Sequence, residues 1–151
     1  MRLFRSMDVS ASGLTAERLR MDIISNNIAN ANTTRTAAGG PYRRQVPVFE
    51  AREARPFSSI LAGAYESGGV DSSSGRGVRV VRIQEDPTPP KLRYDPGHPD
   101  ARPDGYVELP NVDVLTEMVD MIAATRAYEA NVAAINSAKA MAMKALEIGR
   151  G

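Results

Sequence analysis

The position of proline constrains this chain more than any other feature of its sequence. All ten prolines lie between Pro41 and Pro110, and nine of the twelve glycines lie between Gly39 and Gly105. Proline lacks the amide hydrogen that a helix interior needs, and glycine destabilises a helix by about 1 kcal/mol relative to alanine. Both ends of the chain are therefore free to form long helices, whereas the middle is not.

A four-three spacing of apolar residues predicts the first helix, from about Leu3 to Ala31. Glu17 interrupts this stripe and Gly13 weakens the helix, so we expect the helix to need a partner. We predict an assembly seam that includes these apolar residues of the stripe: Met7, Leu14, Met21, Ile24 and Ile28.

The same spacing predicts a second, longer helix after Pro110. We expect Asn111 to be its N-cap, Asp113 to lie near its positive end and Gly149 to follow its last turn. The predicted seam continues through Val114, Met118, Met121, Tyr128, Val132, Ile135 and Leu146. Because 24 of the residues 111–151 are apolar and one partner helix covers only one stripe, we expect other subunits to bury the remaining faces.

The middle of the chain contains two stretches typical of strands, from Tyr42 to Phe49 and from Gly77 to Ile83, with a Gly- and Ser-rich run at 67–75 between them. These features predict a mainly α fold, in which N- and C-terminal helices pack as a coiled coil around a small, loop-rich β element. The predicted divisions are 1–33, 34–109 and 110–151. An ordinary helical bundle is the alternative, but the middle supplies no pattern for a third helix.

Charge and composition exclude several classes of function. The chain has 19 basic and 18 acidic residues, and no segment carries the basic excess that nucleic-acid binding needs. Cysteine is absent, which excludes disulfides and thiolate sites. No stretch approaches the roughly 20 apolar residues of a membrane span, and the N-terminus has no apolar signal-peptide core. We therefore expect any export to proceed without a cleaved signal.

The densest polar cluster extends from Tyr94 to Tyr106 and contains the only histidine. Asp95, His98 and Asp100 are residue types that ligate metals or act as an acid–base pair. However, Asp-Pro-Gly, Pro-Asp and Asp-Gly are sequences typical of turns. We therefore predict a connector, with no catalytic residue, no metal, no cofactor and no small-molecule substrate.

Residues 25–33, Ser-Asn-Asn-Ile-Ala-Asn-Ala-Asn-Thr, resemble the SxNIANxxT signature that ends the N-terminal helix in the flagellar rod and hook family. A second series of blocks, from Tyr94 into the C-terminal helix, resembles the proximal-rod members of that family. The residues that match are Ser25, Asn27, Ile28, Ala29, Asn30, Thr33, Tyr94, Asp95, Pro96, Gly97, His98, Pro99, Gly105, Tyr106, Pro110, Asn111, Arg126, Tyr128, Glu129 and Asn131.

This resemblance implies a structural subunit of the flagellar basal-body proximal rod, not an enzyme. It implies that the helices form the inner layer of an axial shaft that transmits torque, in the periplasm, after export through the flagellar type III apparatus. The implied partners are further copies of the chain, other rod proteins including proximal-rod neighbours, the rod-base adaptor and the export apparatus. A soluble adaptor of the export system, which would offer its C-terminal helix to a groove, is the alternative function.

Overall fold

The computed structural model describes residues 2–52 and 76–149 of the chain. In chain order the elements are α1 (Arg2–Ala29), β1 (Gln45–Ala51), β2 (Val78–Glu85), β3 (Lys91–Tyr94), β4 (Tyr106–Leu109) and α2 (Val114–Ile148). In the described residues, β1 pairs with β2 and β3 pairs with β4, and both pairs are antiparallel. Two long helices thus flank a small β region, as the sequence predicts. The predicted Gly- and Ser-rich loop at 67–75 lies outside the described residues.

The two helices pack against each other in antiparallel orientation. Near the end of α1, the Asn27 side chain bonds Glu117 in the first turn of α2. Further along α2, the Thr125 hydroxyl lies 3.6 Å from the sulfur of Met21, which precedes Asn27 on α1. From one pair to the next, the residue number falls along α1 and rises along α2, so the two helices are antiparallel. At 1.5 Å per residue, α1 is about 42 Å long and α2 about 52 Å, and the last turns of α2 extend past α1.

The stripe of α2 that faces α1 is offset from the apolar stripe that the sequence predicts. Its buried and half-buried members follow a four-three spacing: Glu117, Met121, Ala124, Tyr128, Asn131, Ile135 and Ala138. The two stripes share Met121, Tyr128 and Ile135, and the remaining members of the facing stripe are small or polar. Of the predicted seam, Ile24 is buried, and Met7, Leu14, Met21, Ile28, Met121, Tyr128, Val132 and Ile135 are half-buried. Val114, Met118 and Leu146 are exposed.

A second set of apolar side chains on α2 points away from α1. We call this set the outer face, and each of its members is more than half exposed: Leu115, Val119, Ile122, Met141, Met143 and Ile148. The prediction that α2 carries more apolar surface than one partner helix covers is therefore confirmed. Among the described residues, no helix is both long and apolar enough to cross a membrane.

The N-cap of α2 is Asp113, and the prediction of Asn111 is wrong. The Asp113 carboxylate accepts a hydrogen bond from the Leu115 amide at 3.1 Å, and its backbone is extended. The Asn111 side chain has other partners, because its Oδ1 accepts from the Arg44 amide at 2.9 Å and its Nδ2 donates to the Thr88 carbonyl at 3.3 Å. At the other end, Gly149 follows the last helical residue, as predicted.

The strands β1 and β2 confirm the two predicted stretches, with boundaries shifted by two or three residues at most of their ends. A bulge after Val48 interrupts their pairing. The hairpin of β3 and β4 was not predicted, because turn residues dominate its sequence. The strand pair next to its connecting loop is Tyr94 and Tyr106, whose rings meet edge to face at 5.3 Å. Gly105 has a φ of +79°, and a Cβ there would lie 2.8 Å from the Tyr94 ring.

The start of β2 lies directly against α1. The Val78 amide donates to the Ser12 hydroxyl at 3.0 Å, and that hydroxyl donates to the Val9 carbonyl at 2.6 Å. Gly77 has a φ of +97°, and a Cβ on it would lie 2.1 Å from the Ser12 Oγ. Only glycine allows the strand to approach the helix this closely, because any other residue would collide with Ser12.

Substitution of Gly77 tests this close approach. We expect Gly77→Ala to lower the free energy of unfolding by about 3 kcal/mol, since positive φ strains alanine by about 1–2 kcal/mol and displacement of Ser12 leaves the Val78 amide unpaired. Gly40→Ala is the matched control, because Gly40 has a φ of +77° and a Cβ added there would meet no atom within 4 Å. Urea titration should give a loss of about 1 kcal/mol for the control. Equal losses for both variants would contradict the described contact.

Candidate functional site: a polar junction between the helices and the β region

Glu117 is the largest fully buried side chain in the described residues, and it lies on the α2 stripe that faces α1. Its Oε1 accepts a hydrogen bond from the Arg44 Nε at 2.6 Å, and its Oε2 accepts from the Asn27 Nδ2 at 3.0 Å. A buried carboxylate without such donors would be strongly destabilising. Glu117 therefore ties α2 to the end of α1 and to the segment that enters β1.

Asn27 is 1% exposed and uses the full hydrogen-bonding capacity of its amide. Its Oδ1 accepts from the Tyr42 hydroxyl at 2.8 Å and from the Gln45 amide at 2.9 Å. Its Nδ2 donates to the Gln45 carbonyl at 2.9 Å as well as to Glu117. Both backbone groups of Gln45 are thus paired with one side chain, which fixes the start of β1 on the last turns of α1.

Arg44 connects three carboxylates from different parts of the chain. Besides the bond to Glu117, its Nη2 lies 3.4 Å from the Asp120 Oδ2 and its Nη1 lies 3.6 Å from the Asp86 Oδ2. Asp120 also meets the Arg20 guanidinium of α1 at 3.5 Å. We call the set the junction cluster, and its members are Asn27, Tyr42, Arg44, Gln45, Asp86, Glu117 and Asp120.

The charges of the junction cluster are set by its own contacts. Burial lowers the pKa of Arg44, but the hydrogen bond and charge of Glu117, helped by Asp120 and Asp86, raise it further than burial lowers it. Burial also raises the pKa of the Tyr42 hydroxyl, and Glu117 adds to that effect. Hydrogen bonds from Thr88 lower the pKa of Asp86, as does Arg44. At neutral pH, Arg44 is therefore a cation, Tyr42 a neutral donor and Asp86 an anion.

The first family motif, residues 25–33, contains the end of α1 and the start of the segment that brings the chain back beside that helix. The Asn30 side chain donates to the Asn26 carbonyl and side-chain oxygen, both at 2.9 Å. The Thr33 hydroxyl donates to Asn30, and the Thr33 carbonyl accepts from the Tyr42 amide at 3.1 Å. These bonds bring residues 42–45 back beside Asn27. Ser25 and Ala29 of the motif are exposed, and Ile28 is half-buried.

The second family motif is spread over the hairpin and α2. Tyr94, Pro96, Gly97, Pro99 and Tyr106 lie exposed in the hairpin, and Asp95, His98 and Gly105 are half-buried there. Pro110 is buried and Asn111 bridges to Arg44. On α2, Arg126 and Glu129 are exposed, whereas Tyr128 and Asn131 are half-buried on the stripe that faces α1. The second motif therefore includes residues at the junction with the β region and residues at the contact between α1 and α2.

The polar cluster around His98 forms a turn. The Asp100 amide donates to the His98 Nδ1 at 3.1 Å, and the His98 amide donates to the Asp95 carbonyl at 3.2 Å. The Asp100 carboxylate accepts from the Thr34 hydroxyl at 2.8 Å, which ties the turn to the segment after α1. Within residues 2–52 and 76–149, no three His, Asp or Glu side chains come together in a way that would hold a metal ion.

Sequence reasoning singled out Asn27 and Asn111 but missed their partners. Neither Arg44 nor Glu117 is identified as a site residue by its local sequence. A usable signal was present, because Glu117 lies four residues before Met121 and seven before Ala124 on one helix face. A charged residue on an otherwise apolar stripe indicates a buried partner of opposite charge. The sequence does not show which of its sixteen arginines supplies that partner.

Removal of the Glu117 carboxylate tests the junction cluster. We expect Glu117→Ala to lower the free energy of unfolding by about 3 kcal/mol, because it leaves Arg44 and Asn27 with unsatisfied donors. Asp120→Ala is the matched control, since that side chain is 34% exposed and its ion pairs are longer. Urea titration should show a loss below about 1 kcal/mol for the control. A loss that small for Glu117→Ala would show that the cluster does not hold the fold together.

Comparison with known proteins agrees with both motifs. A family model described as flagella basal body rod protein matches residues 7–35, and one described as flagellar basal body rod FlgEFG protein C-terminal matches residues 104–148. Curated relatives, each named flagellar basal-body rod protein FlgC, match nearly the whole chain. The protein of Borreliella burgdorferi is 52% identical with complete coverage of both chains. Those of Bacillus subtilis and Salmonella typhimurium are 49% and 35% identical, with 99% of this chain and all of the relative covered. The chain therefore belongs to the FlgC family of flagellar basal-body rod proteins.

Proposed function

We propose that this chain is a structural subunit of the proximal rod of the bacterial flagellum and that the outer face of α2 is its main assembly surface. One observation carries the proposal: α2 meets α1 on one stripe and leaves large apolar side chains exposed on the opposite side. Extended apolar surface is uncommon on a monomer and marks protein contacts. The full-length match to rod proteins indicates that the covering partners are rod subunits.

The apolar residues of α2 form two patches that suit contacts with more than one neighbour. Leu115, Val119 and Ile122 lie near the start of the helix, and Met141, Met143 and Ile148 lie near its end. The exposed motif residues Arg126 and Glu129 lie between the patches. This arrangement supports apolar packing at both ends of the helix and a polar contact in the middle.

The predicted seam adds a second class of contact to the proposal. Leu146 is the last member of the predicted seam and lies on the part of α2 that extends past α1, where it is 69% exposed. Val114 and Met118 are likewise exposed at the other end of α2. We expect these three residues to meet neighbouring helices, so that the helix pair becomes part of a larger coiled coil that forms the inner layer of the rod.

The divisions 1–33, 34–109 and 110–151 then correspond to an inner layer of two helices and an outer β region. Further copies of the chain, other rod proteins and the rod-base adaptor are the proposed partners. We place the assembled protein in the periplasm, after export through the flagellar type III apparatus without a cleaved signal. In this arrangement the junction cluster joins the outer region to the helices that transmit torque.

Ile122→Asp tests the outer face as an assembly surface. Ile122 is 59% exposed, so we expect aspartate to change the free energy of unfolding of the isolated chain by less than about 1 kcal/mol. In a rod, the same charge would be buried without a partner at every equivalent contact. In cells that lack the native chain, we therefore expect loss of motility and loss of the variant from purified basal bodies.

Ile122→Met is the matched control, because it keeps an apolar side chain at the same position and should support normal swimming. Immunoblots of cytoplasmic, periplasmic and basal-body fractions locate each variant. Full incorporation and normal swimming of Ile122→Asp would contradict the proposed surface. A functional wild-type chain that never enters basal bodies would instead favour the adaptor function.

A further inference from the structure

Apolar contacts alone do not fix how far α1 and α2 slide along each other. The fully buried apolar residues of the two helices are all alanine or isoleucine: Ala16, Ile23, Ile24, Ala124 and Ala138. Burial of such surface is non-directional, so a shift by one helical turn would replace one apolar contact with another. The antiparallel register therefore needs contacts that distinguish one position from the next.

Two contacts between the helices meet that need, one a hydrogen bond and the other a steric fit. The first is the hydrogen bond between Asn27 and Glu117 inside the junction cluster. The second is the close fit of Asn131 against Gly13, where a Cβ on the glycine would lie 2.9 Å from the Asn131 Nδ2. Asn131 is held in place because its Nδ2 donates to the Ala127 carbonyl at 3.0 Å.

The two contacts have the same spacing on both helices. Gly13 and Asn27 are 14 residues apart on α1, and Glu117 and Asn131 are 14 residues apart on α2. Fourteen residues correspond to two heptads, so both contacts lie on the same side of the helix pair and are satisfied in the same register. A register that fits one contact therefore fits the other.

A shift by one turn would break both contacts at once. If Glu117 shifts by one turn toward the start of α1, its carboxylate lies opposite Ile23 and Ile24 and loses its bond to Asn27. The same shift would also place Asn131 opposite Val9 and Ser10 instead of Gly13, where side chains occupy the space that the glycine leaves open. Each change leaves a polar group without a partner or without room, which is unfavourable in a buried contact.

We propose that Asn27–Glu117 and Gly13–Asn131 are register pins that select one antiparallel alignment of α1 and α2 within the chain. Buried polar pairs are known to set alignment at some loss of stability, and the register role is the best attested of their uses. Arg44 makes the first pin conditional, because it neutralises Glu117 only when residues 42–45 lie beside Asn27. The helices therefore reach this register together with the β region. This role concerns contacts within one chain and does not depend on the rod assignment.

Distance measurement between two spin labels tests the pins. The chain has no cysteine, so Asp22→Cys and Ser137→Cys provide the only labelling sites, and both positions are exposed. In the described register the labels are separated by about 22 Å along the helix axis, and a one-turn shift of Glu117 toward Ile23 lengthens this by about 5 Å. Dilution with unlabelled chain restricts the signal to distances within one molecule.

We expect one narrow distance distribution in the otherwise unchanged chain. The pin-free variant Asn27→Leu with Glu117→Leu and Asn131→Ala should show a second population about 5 Å longer, with at least about tenfold more of the shifted register than the parent. Its helical circular dichroism should be retained, because leucine at 117 packs against Ile23 and Ile24. Retained helix with altered register separates alignment from stability.

Glu117→Gln with Asn131→Ala provides a milder version of the same test. Glutamine still accepts a bond from Asn27 at the first pin, whereas the second pin is lost, so we expect a smaller shifted population in this variant. If the pin-free variant loses its helical signal, the variant Glu117→Gln with Asn131→Ala provides the test of the register. A single distance, equal to that of the parent, in a helical variant of either kind would overturn the proposal.

Discussion

A carboxylate that is buried away from water needs hydrogen-bond donors, and the buried Glu117 carboxylate takes its donors from two separate parts of the chain. Its two oxygens accept hydrogen bonds from Asn27 near the end of α1 and from Arg44, the residue before β1. Asn27 in turn holds both backbone groups of Gln45. The meeting of two helices with the first strand is therefore a hydrogen-bonded arrangement in which each partner depends on the others.

The distribution of side chains on α2 follows from this arrangement. The fully buried side chains of α2 are small or polar: Glu117, Ala124 and Ala138. Met121, Tyr128 and Ile135 are half-buried on the same stripe, whereas large apolar residues such as Leu115 and Val119 are exposed. A self-contained bundle would place its largest apolar groups in its own core. Here polar bonds and small buried residues hold the two helices together, and large apolar side chains of α2 stay exposed.

The sequence was sufficient to predict features that depend on periodicity and composition. The confinement of proline to 41–110 predicted both helices, and β-branched residues predicted β1 and β2. The sequence did not predict the hairpin of β3 and β4. Asp95, Gly97 and Pro99 indicate a turn, and the strands on either side of it have only four residues each, too few for a clear strand pattern. The motif at 25–33 drew attention to Asn27. Its bonds to Tyr42 and Glu117 depend on tertiary contacts across 15 and 90 residues of sequence, and local patterns do not encode them.

Methionine oxidation measures most directly whether neighbours cover the outer side of α2. Met118, Met141 and Met143 are more than half exposed in the single chain, whereas Met21 and Met121 are half-buried against the partner helix. Sulfoxide formation with dilute peroxide, followed by peptide mass spectrometry, compares the isolated chain with purified basal bodies. We expect the three exposed methionines to oxidise fastest in the isolated chain and to slow to the rate of Met21 and Met121 in the rod. Equal oxidation rates of Met118, Met141 and Met143 in both samples would show that no neighbour covers them.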